Sequence, residues 1–176
     1  MRRSLRFSIS LLPLLLFCAA PASADVQLPL RKAGLWDIKV DHDGAKMPAV
    51  TIQQCTSEAV DREFTSEFAP SARQNCSKTD VRKTATGYVM DSVCTMAGAT
   101  VTSHAETSGD FNSAYTVNVT SRSEGGRFGT RDSKITMAAT WTGPCKEGQR
   151  PGDVVMPGGF KMNMRDLEKF KSMAPK

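Results

Sequence analysis

The sequence has few of the residues that enzymes and metal sites are built from. Its 176 residues include only two histidines. It contains no Gly-x-Ser-x-Gly elbow, no P-loop and no His-Glu-x-x-His motif. It also shows no arrangement of a nucleophilic cysteine with a histidine base. Hydrolytic and metal-assisted catalysis therefore have little to build on, and we predict no catalytic residue, no metal site and no cofactor.

The chain also lacks a large excess of charge of one sign. Lys and Arg number 23 against 18 Asp and Glu, for a net charge of +5. Arg2, Arg3 and Arg6 lie in the first 24 residues, and removing that segment leaves 20 basic and 18 acidic residues, net +2. A nucleic-acid-binding protein keeps an excess of basic residues on its folded part. The near equality of basic and acidic residues after residue 24 therefore excludes nucleic acid as the expected partner.

Residues 1–24 have the pattern of a cleaved export signal. A cationic start is followed by the apolar stretch Leu11–Ala20 and by small residues at Ala22-Ser23-Ala24, which predicts cleavage before Asp25. The apolar stretch falls short of the roughly twenty residues that cross a membrane, and no later segment comes closer. We therefore expect residues 25–176 to form a single domain in the periplasm or outside the cell, with no membrane span.

Four cysteines remain after residue 24, which in an exported chain indicates two disulfides. Three pairings are possible. Cys76–Thr84 and Gly87–Cys94 read as two strands joined by a short turn, and folding them about Ala85 places Cys76 opposite Cys94. Facing residues in an antiparallel pair are close enough for a disulfide, so we predict Cys76–Cys94 and, by elimination, Cys55–Cys145.

Alternating apolar and polar residues predict seven strands. Short turns join most of them, which favours a curved antiparallel sheet in meander order. The predicted strands are Leu35–Val40, Val50–Cys55, Cys76–Thr84, Gly87–Cys94, Thr100–Phe111, Ala114–Ser121 and Ser133–Trp141.

Two helices are expected beside this sheet. After the second strand, Thr56 can cap a helix that carries Val60, Phe64 and Phe68 along one side until Pro70. Near the chain end, Asn163 can cap a second helix with apolar residues at three-residue spacing. The predicted fold is therefore α+β, with both helices packed on the sheet.

Two weak patterns could carry chemistry. His104 and Glu106 lie two residues apart in a strand and so share a face, where the carboxylate could orient the ring for acid-base catalysis. Exposed polar residues on a strand give the same pattern. Methionines also cluster late in the chain, and thioethers bind Cu(I), although methionine is more often a flexible filler of apolar surfaces. They are Met156, Met162, Met164 and Met173.

Several motifs resemble the exported bacterial proteins grouped as domain of unknown function 3617. They are Arg31–Ile38, Cys55–Ala59, Gly87-Tyr88, Asp91–Cys94, Gly109–Tyr115, Gly143–Cys145, Pro151–Asp153 and Met156–Gly159. The resemblance spans nearly the whole chain after residue 24. It implies export, paired cysteines and a single domain, and it implies no reaction, no ligand and no catalytic residue.

The expected function is that of a non-catalytic exported module that binds an apolar small molecule or a partner in the cell envelope. The sequence predicts a sheet crosslinked by two disulfides, and it lacks a set of residues typical of a catalytic site. An enzyme using His104 and Glu106, and Cu(I) handling through the late methionines, are the alternatives.

Overall fold

The computed structural model describes residues 28–43, 48–64, 75–127 and 129–166. The predicted leader, residues 1–24, lies outside these residues. The described chain forms one open antiparallel sheet of nine strands in the order β3-β4-β5-β6-β7-β1-β2-β8-β9. The strands are β1 Gly34–Asp43, β2 Val50–Thr56, β3 Cys76–Lys83, β4 Gly87–Met96, β5 Ala99–Asp110, β6 Ala114–Gly125, β7 Arg131–Gly143, β8 Asp153–Val155 and β9 Lys161–Asn163.

The seven predicted strands correspond to β1–β7, but the predicted strand count and the simple meander are wrong. Strands β3–β7 follow one another in the sheet, but β7 then pairs with β1, so the β1–β2 hairpin lies inside the sheet instead of at its edge. Strands β8 and β9 extend the sheet beyond β2. Each has three residues, which is too short to show the alternation by which strands are predicted.

Helices contribute less than the predicted α+β fold requires, and the fold is mostly antiparallel β. The described part of the first helix, α1, covers residues 58–64, and a second helix, α2, begins at residue 164. Phe68, Pro70 and the apolar positions of α2 after residue 166 lie outside the described residues. Ser57, not Thr56, caps α1, because the Val60 amide donates to the Ser57 hydroxyl at 3.3 Å. Asn163 does cap α2, accepting the Arg165 amide at 3.0 Å.

Both disulfides of the sequence prediction are present in the structure. The Cys55–Cys145 bond joins β2 to the segment after β7, with α-carbons 5.4 Å apart and 90 residues between them in sequence. The Cys76–Cys94 bond joins the neighbouring strands β3 and β4. The first bond ties distant parts of the chain, and the second fixes an edge strand of the sheet.

The register gives the sheet two faces of opposite character. Residues directly opposite each other in antiparallel strands point to the same face, as do residues two positions apart along a strand. We call one the charged face; it contains the cross-strand row Asp80, Asp91, His104, Thr120, Lys134 and Asp43. We call the other the apolar face; it contains the row Val81, Met90, Ala105, Val119 and Ile135.

The buried core lies at one end of the apolar face, which we call the covered end. Trp36 on β1 and Val60 on α1 are fully buried. The segment 28–33 crosses this end, since the Trp36 indole donates to the Lys32 carbonyl at 2.9 Å and the Lys32 amide donates to the Phe111 carbonyl at 2.9 Å. The remaining apolar rows of the sheet are largely half-buried.

Candidate functional site

A groove of about 810 Å³ crosses the charged face and is lined by residues of six strands, from β3 to β1. Its charges largely neutralise one another: Lys134 pairs with Asp43 at 3.1 Å, and Arg122 pairs with Asp132 at 3.3 Å. Because the lining side chains are mostly polar or charged and already paired, this groove does not suit an apolar ligand.

His104 lies in the groove and has a carboxylate on each ring nitrogen. Its Nδ1 is 2.6 Å from Asp91 on β4, and its Nε2 is 3.3 Å from Glu106. Arg82 on β3 contacts the second oxygen of Asp91. The predicted His104 and Glu106 pair is thus brought together, but the shorter contact is to Asp91. The strand register places Asp91 directly opposite His104, a pairing between β4 and β5 that is not apparent from either strand alone.

These contacts shift the pKa values of both His104 and Asp91. The hydrogen bond to Asp91, and then that to Glu106, raise the pKa of His104, while the hydrogen bond to His104 and the contact with Arg82 lower the pKa of Asp91. A ring whose two nitrogens both face carboxylates is stabilised in its protonated form and offers no free lone pair for a substrate proton. The arrangement therefore behaves as an ionic network of the sheet surface and does not favour His104 as a general base.

The apolar face shows a different pattern. Six large hydrophobic side chains are exposed among the described residues, and the three that belong to strands, Val50, Met90 and Met96, all lie on this face. Two more, Met156 and Phe160, lie in the turn between β8 and β9, where the Met156 amide donates to the Phe160 carbonyl at 2.8 Å.

A buried ion pair holds the covered end together. Asp61 on α1 accepts the Arg31 guanidinium at 2.7 and 3.0 Å and the Arg31 amide at 2.8 Å, and it also accepts the Thr56 hydroxyl at 2.6 Å. Burial alone would raise the pKa of Asp61, but the hydrogen bonds and charge of Arg31 outweigh it and lower that pKa. Gln54 accepts a further Arg31 N–H at 2.9 Å. The cluster fastens segment 28–33 to β2 and α1.

Three of the four late methionines lie among the described residues, and two of these, Met162 and Met164, have neighbours in the sheet. The Met164 sulfur accepts a hydrogen bond from the Gln54 amide at 3.2 Å, and so already has a structural partner. Met162 lies opposite Val154 on the apolar face, and Met173 lies outside the described residues. Within the described ranges, no group of three or more His, Cys, Asp or Glu side chains is placed to hold a metal ion.

A family model, described as a protein of unknown function (DUF3617), matches residues 31–145. The chain belongs to the DUF3617 family. No curated protein and no solved structure matches the chain. Within the part of the chain that the structure describes, no helix is long and apolar enough to cross a membrane.

The motifs that resemble the DUF3617 family have structural roles in this chain. Gly34 has a φ of 131°, and a Cβ at this position would lie 2.3 Å from the Gly143 carbonyl oxygen, so the close approach of β1 and β7 requires glycine. In the β5–β6 turn, the Asp110 carboxylate accepts the Asn112 amide at 2.9 Å, and Phe111 stacks on Tyr115 at 4.8 Å. These residues form part of the covered end and of its turns.

Proposed function

We propose that this DUF3617 protein is an exported, non-catalytic binding module whose apolar face takes up an apolar small molecule. The observation that carries the proposal is the concentration of exposed large hydrophobic residues on that one face. Scattered exposed hydrophobic residues would fall on both faces and need no explanation, whereas a shared face marks an interaction surface. Removing such surface from water is favourable by about 25 cal/mol per Å².

The proposed location follows from the leader and the cysteines. Residues 1–24 would direct export and be removed, leaving 25–176 as one domain in the periplasm or outside the cell. Two disulfides suit an oxidising compartment. Mass spectrometry of the protein from its native host would check this, since the expected N-terminus is Asp25 and every remaining cysteine should resist alkylation without prior reduction.

Adjacent residues of β4 provide a matched test of the binding face. Met90 belongs to the apolar face and is 38% exposed, while Val89 points to the charged face. The neutral probe N-phenyl-1-naphthylamine should fluoresce on binding the wild-type protein. Met90→Glu should weaken that binding about tenfold or more, because it places a carboxylate among apolar rows, and Val89→Glu should leave it nearly unchanged.

Circular dichroism of both variants establishes that each keeps its strands. Equal loss in the two variants, or no probe binding by the wild-type protein, would refute the proposed apolar site. Organic extracts of the native protein, analysed by mass spectrometry, should contain a retained apolar compound. A tightly bound polypeptide in its place would identify an envelope partner as the occupant of the face.

A further inference from the structure

Charge is divided unequally between the two faces of the sheet. Every Asp and Glu of the nine strands belongs to the charged face, in register with residues such as Asp91 and Asp132. The apolar face carries cationic or titratable basic groups only, at Lys83, Arg131 and His42. In the described strands, the apolar face is therefore flanked by positive charge and carries no carboxylate.

The apolar face also changes character along the strands. From Tyr115 to Val119 on β6 its rows are mostly apolar over four residue-to-residue steps, about 13 Å at 3.3 Å per step. The next row consists of Ser92, Ser103, Ser121 and Ser133. Beyond it, Arg131 of β7 lies opposite Ser123 of β6, whereas β4 and β5 continue with the apolar residues Cys94, Val101 and Met96. His42, opposite Ile135, lies at the same end as Arg131. Along β6 and β7, an apolar surface thus passes through hydroxyl groups to a cation.

We propose that the ligand is an anionic amphiphile, whose hydrocarbon chain lies on the apolar rows and whose carboxylate or phosphate lies among the serine hydroxyls near Arg131. This inference rests on the proposed function and names its ligand class. An anionic head group and a guanidinium attract each other, and Arg is well suited to carboxylate and phosphate oxygens.

The same charge pattern disfavours two other occupants. A cationic amphiphile would bring a positive head group to a face without carboxylates. A second copy stacked through the same face would bring Lys83 and Arg131 of each chain toward like charges, which costs affinity. An anionic amphiphile avoids both penalties.

Displacement of bound N-phenyl-1-naphthylamine by three twelve-carbon compounds tests the inference at pH 8. Dodecanoate, dodecanol and dodecylamine share one chain and differ in the charge of the head group. Dodecanoate should displace the probe at a concentration about tenfold lower than dodecanol, and dodecylamine should be the weakest. Dodecyl phosphate should behave like dodecanoate if phosphate oxygens are also accepted, and a preference for one of the two identifies the head group.

Two charge reversals locate the head group. Arg131→Glu should remove the advantage of dodecanoate over dodecanol. Lys83→Glu is the matched control, because it reverses the other long cationic side chain of the same face at the opposite end of the apolar rows. Arg131→Gln, which is neutral, should lose part of the advantage and guards against misfolding of the Glu variant.

The outcomes separate the inference from the proposed function. Probe binding with equal displacement by all three compounds would overturn the anionic ligand and leave the apolar site standing. Loss of the dodecanoate advantage in Lys83→Glu alone would overturn the placement near Arg131. A wild-type protein that binds no probe would refute the proposed function itself.

Discussion

Asp61 links segment 28–33, β2 and α1 at the covered end through its bonds to Arg31 and Thr56. Its side chain is 5% exposed and accepts hydrogen bonds from Arg31, itself 15% exposed, and from Thr56. Asp61→Ala leaves the Arg31 charge buried without its partner, which typically costs about 3–5 kcal/mol. Urea unfolding followed by circular dichroism should show a loss of this size.

Glu58→Ala is the control for that variant on the same helix. Glu58 pairs with Arg62 one turn later at 2.5 Å, but both side chains are about two-thirds exposed. Exposed pairs of this kind contribute about 0.3–0.5 kcal/mol. If Asp61→Ala were no more destabilising than Glu58→Ala, the buried ion pair would not be what fastens segment 28–33.

The titration of His104 gives a second prediction at a single residue. Its pKa is raised in the folded protein by Asp91 and Glu106. The stabilisation that this contributes is fully present below the unfolded histidine pKa, near 6.5, and is lost as pH rises through the higher folded value. The NMR titration midpoint of the His104 ring should lie above that of the urea-unfolded chain.

Asp91→Asn should lower the His104 midpoint, because it removes the nearer carboxylate, and Glu106→Gln should lower it less, because its contact is longer. Thr120, the residue opposite His104 on β6, carries no charge and should not contribute. If the His104 midpoint is the same in Asp91→Asn as in the wild-type protein, the contact between His104 and Asp91 does not persist in solution.

The cap at the start of α1 should contribute to the stability of that helix. The Ser57 hydroxyl accepts the Val60 amide, one of the amides at the helix start that lack a partner within the helix. Ser57→Ala should destabilise the protein by about 1 kcal/mol in urea unfolding, and Ser57→Asp should retain the cap. Equal losses in the two variants would contradict a capping role.

The β3–β4 hairpin shows how far alternation predicts a register. Folding the sequence about Ala85 sets Val81 opposite Val89, but in the structure Val81 faces Met90. A register shift between Cys76 and Lys78 restores the pairing of Cys76 with Cys94. The predicted register is therefore correct only at the Cys76–Cys94 end of the hairpin. It is wrong elsewhere because a bulge leaves no signal in hydrophobic periodicity.

The candidate site was predictable in part. Each strand's apolar and polar positions follow from its own alternation, as in Val117 and Val119 of β6, but the concentration of exposed residues on one face depends on the order of strands. Placing β1 beside β7 is a long-range pairing that no local pattern specifies. The contact of Asp91 with His104 likewise follows from register, since the two residues are 13 positions apart in sequence.

Across the whole molecule, the two disulfides should contribute unequally to stability. Their loops span 90 and 18 residues, which in the chain-entropy model corresponds to about 4.6 and about 3 kcal/mol. The paired change of Cys55 and Cys145 to Ala should therefore destabilise the protein by about 1.5 kcal/mol more than that of Cys76 and Cys94. Cys55 is also fully buried, so its replacement by Ala loses additional packing.

Guanidinium unfolding of the two double variants, both under non-reducing conditions, measures this difference. The variant without Cys76–Cys94 should keep probe binding at Met90, because the neighbouring strands β4 and β5 remain paired over ten residues. The variant without Cys55–Cys145 should unfold first, since that bond is the covalent link between β2 and the segment that leads into β8. The reverse order of stability would mean that hydrogen bonds such as Gly152 amide to Cys55 carbonyl, at 2.9 Å, already hold this segment without the crosslink.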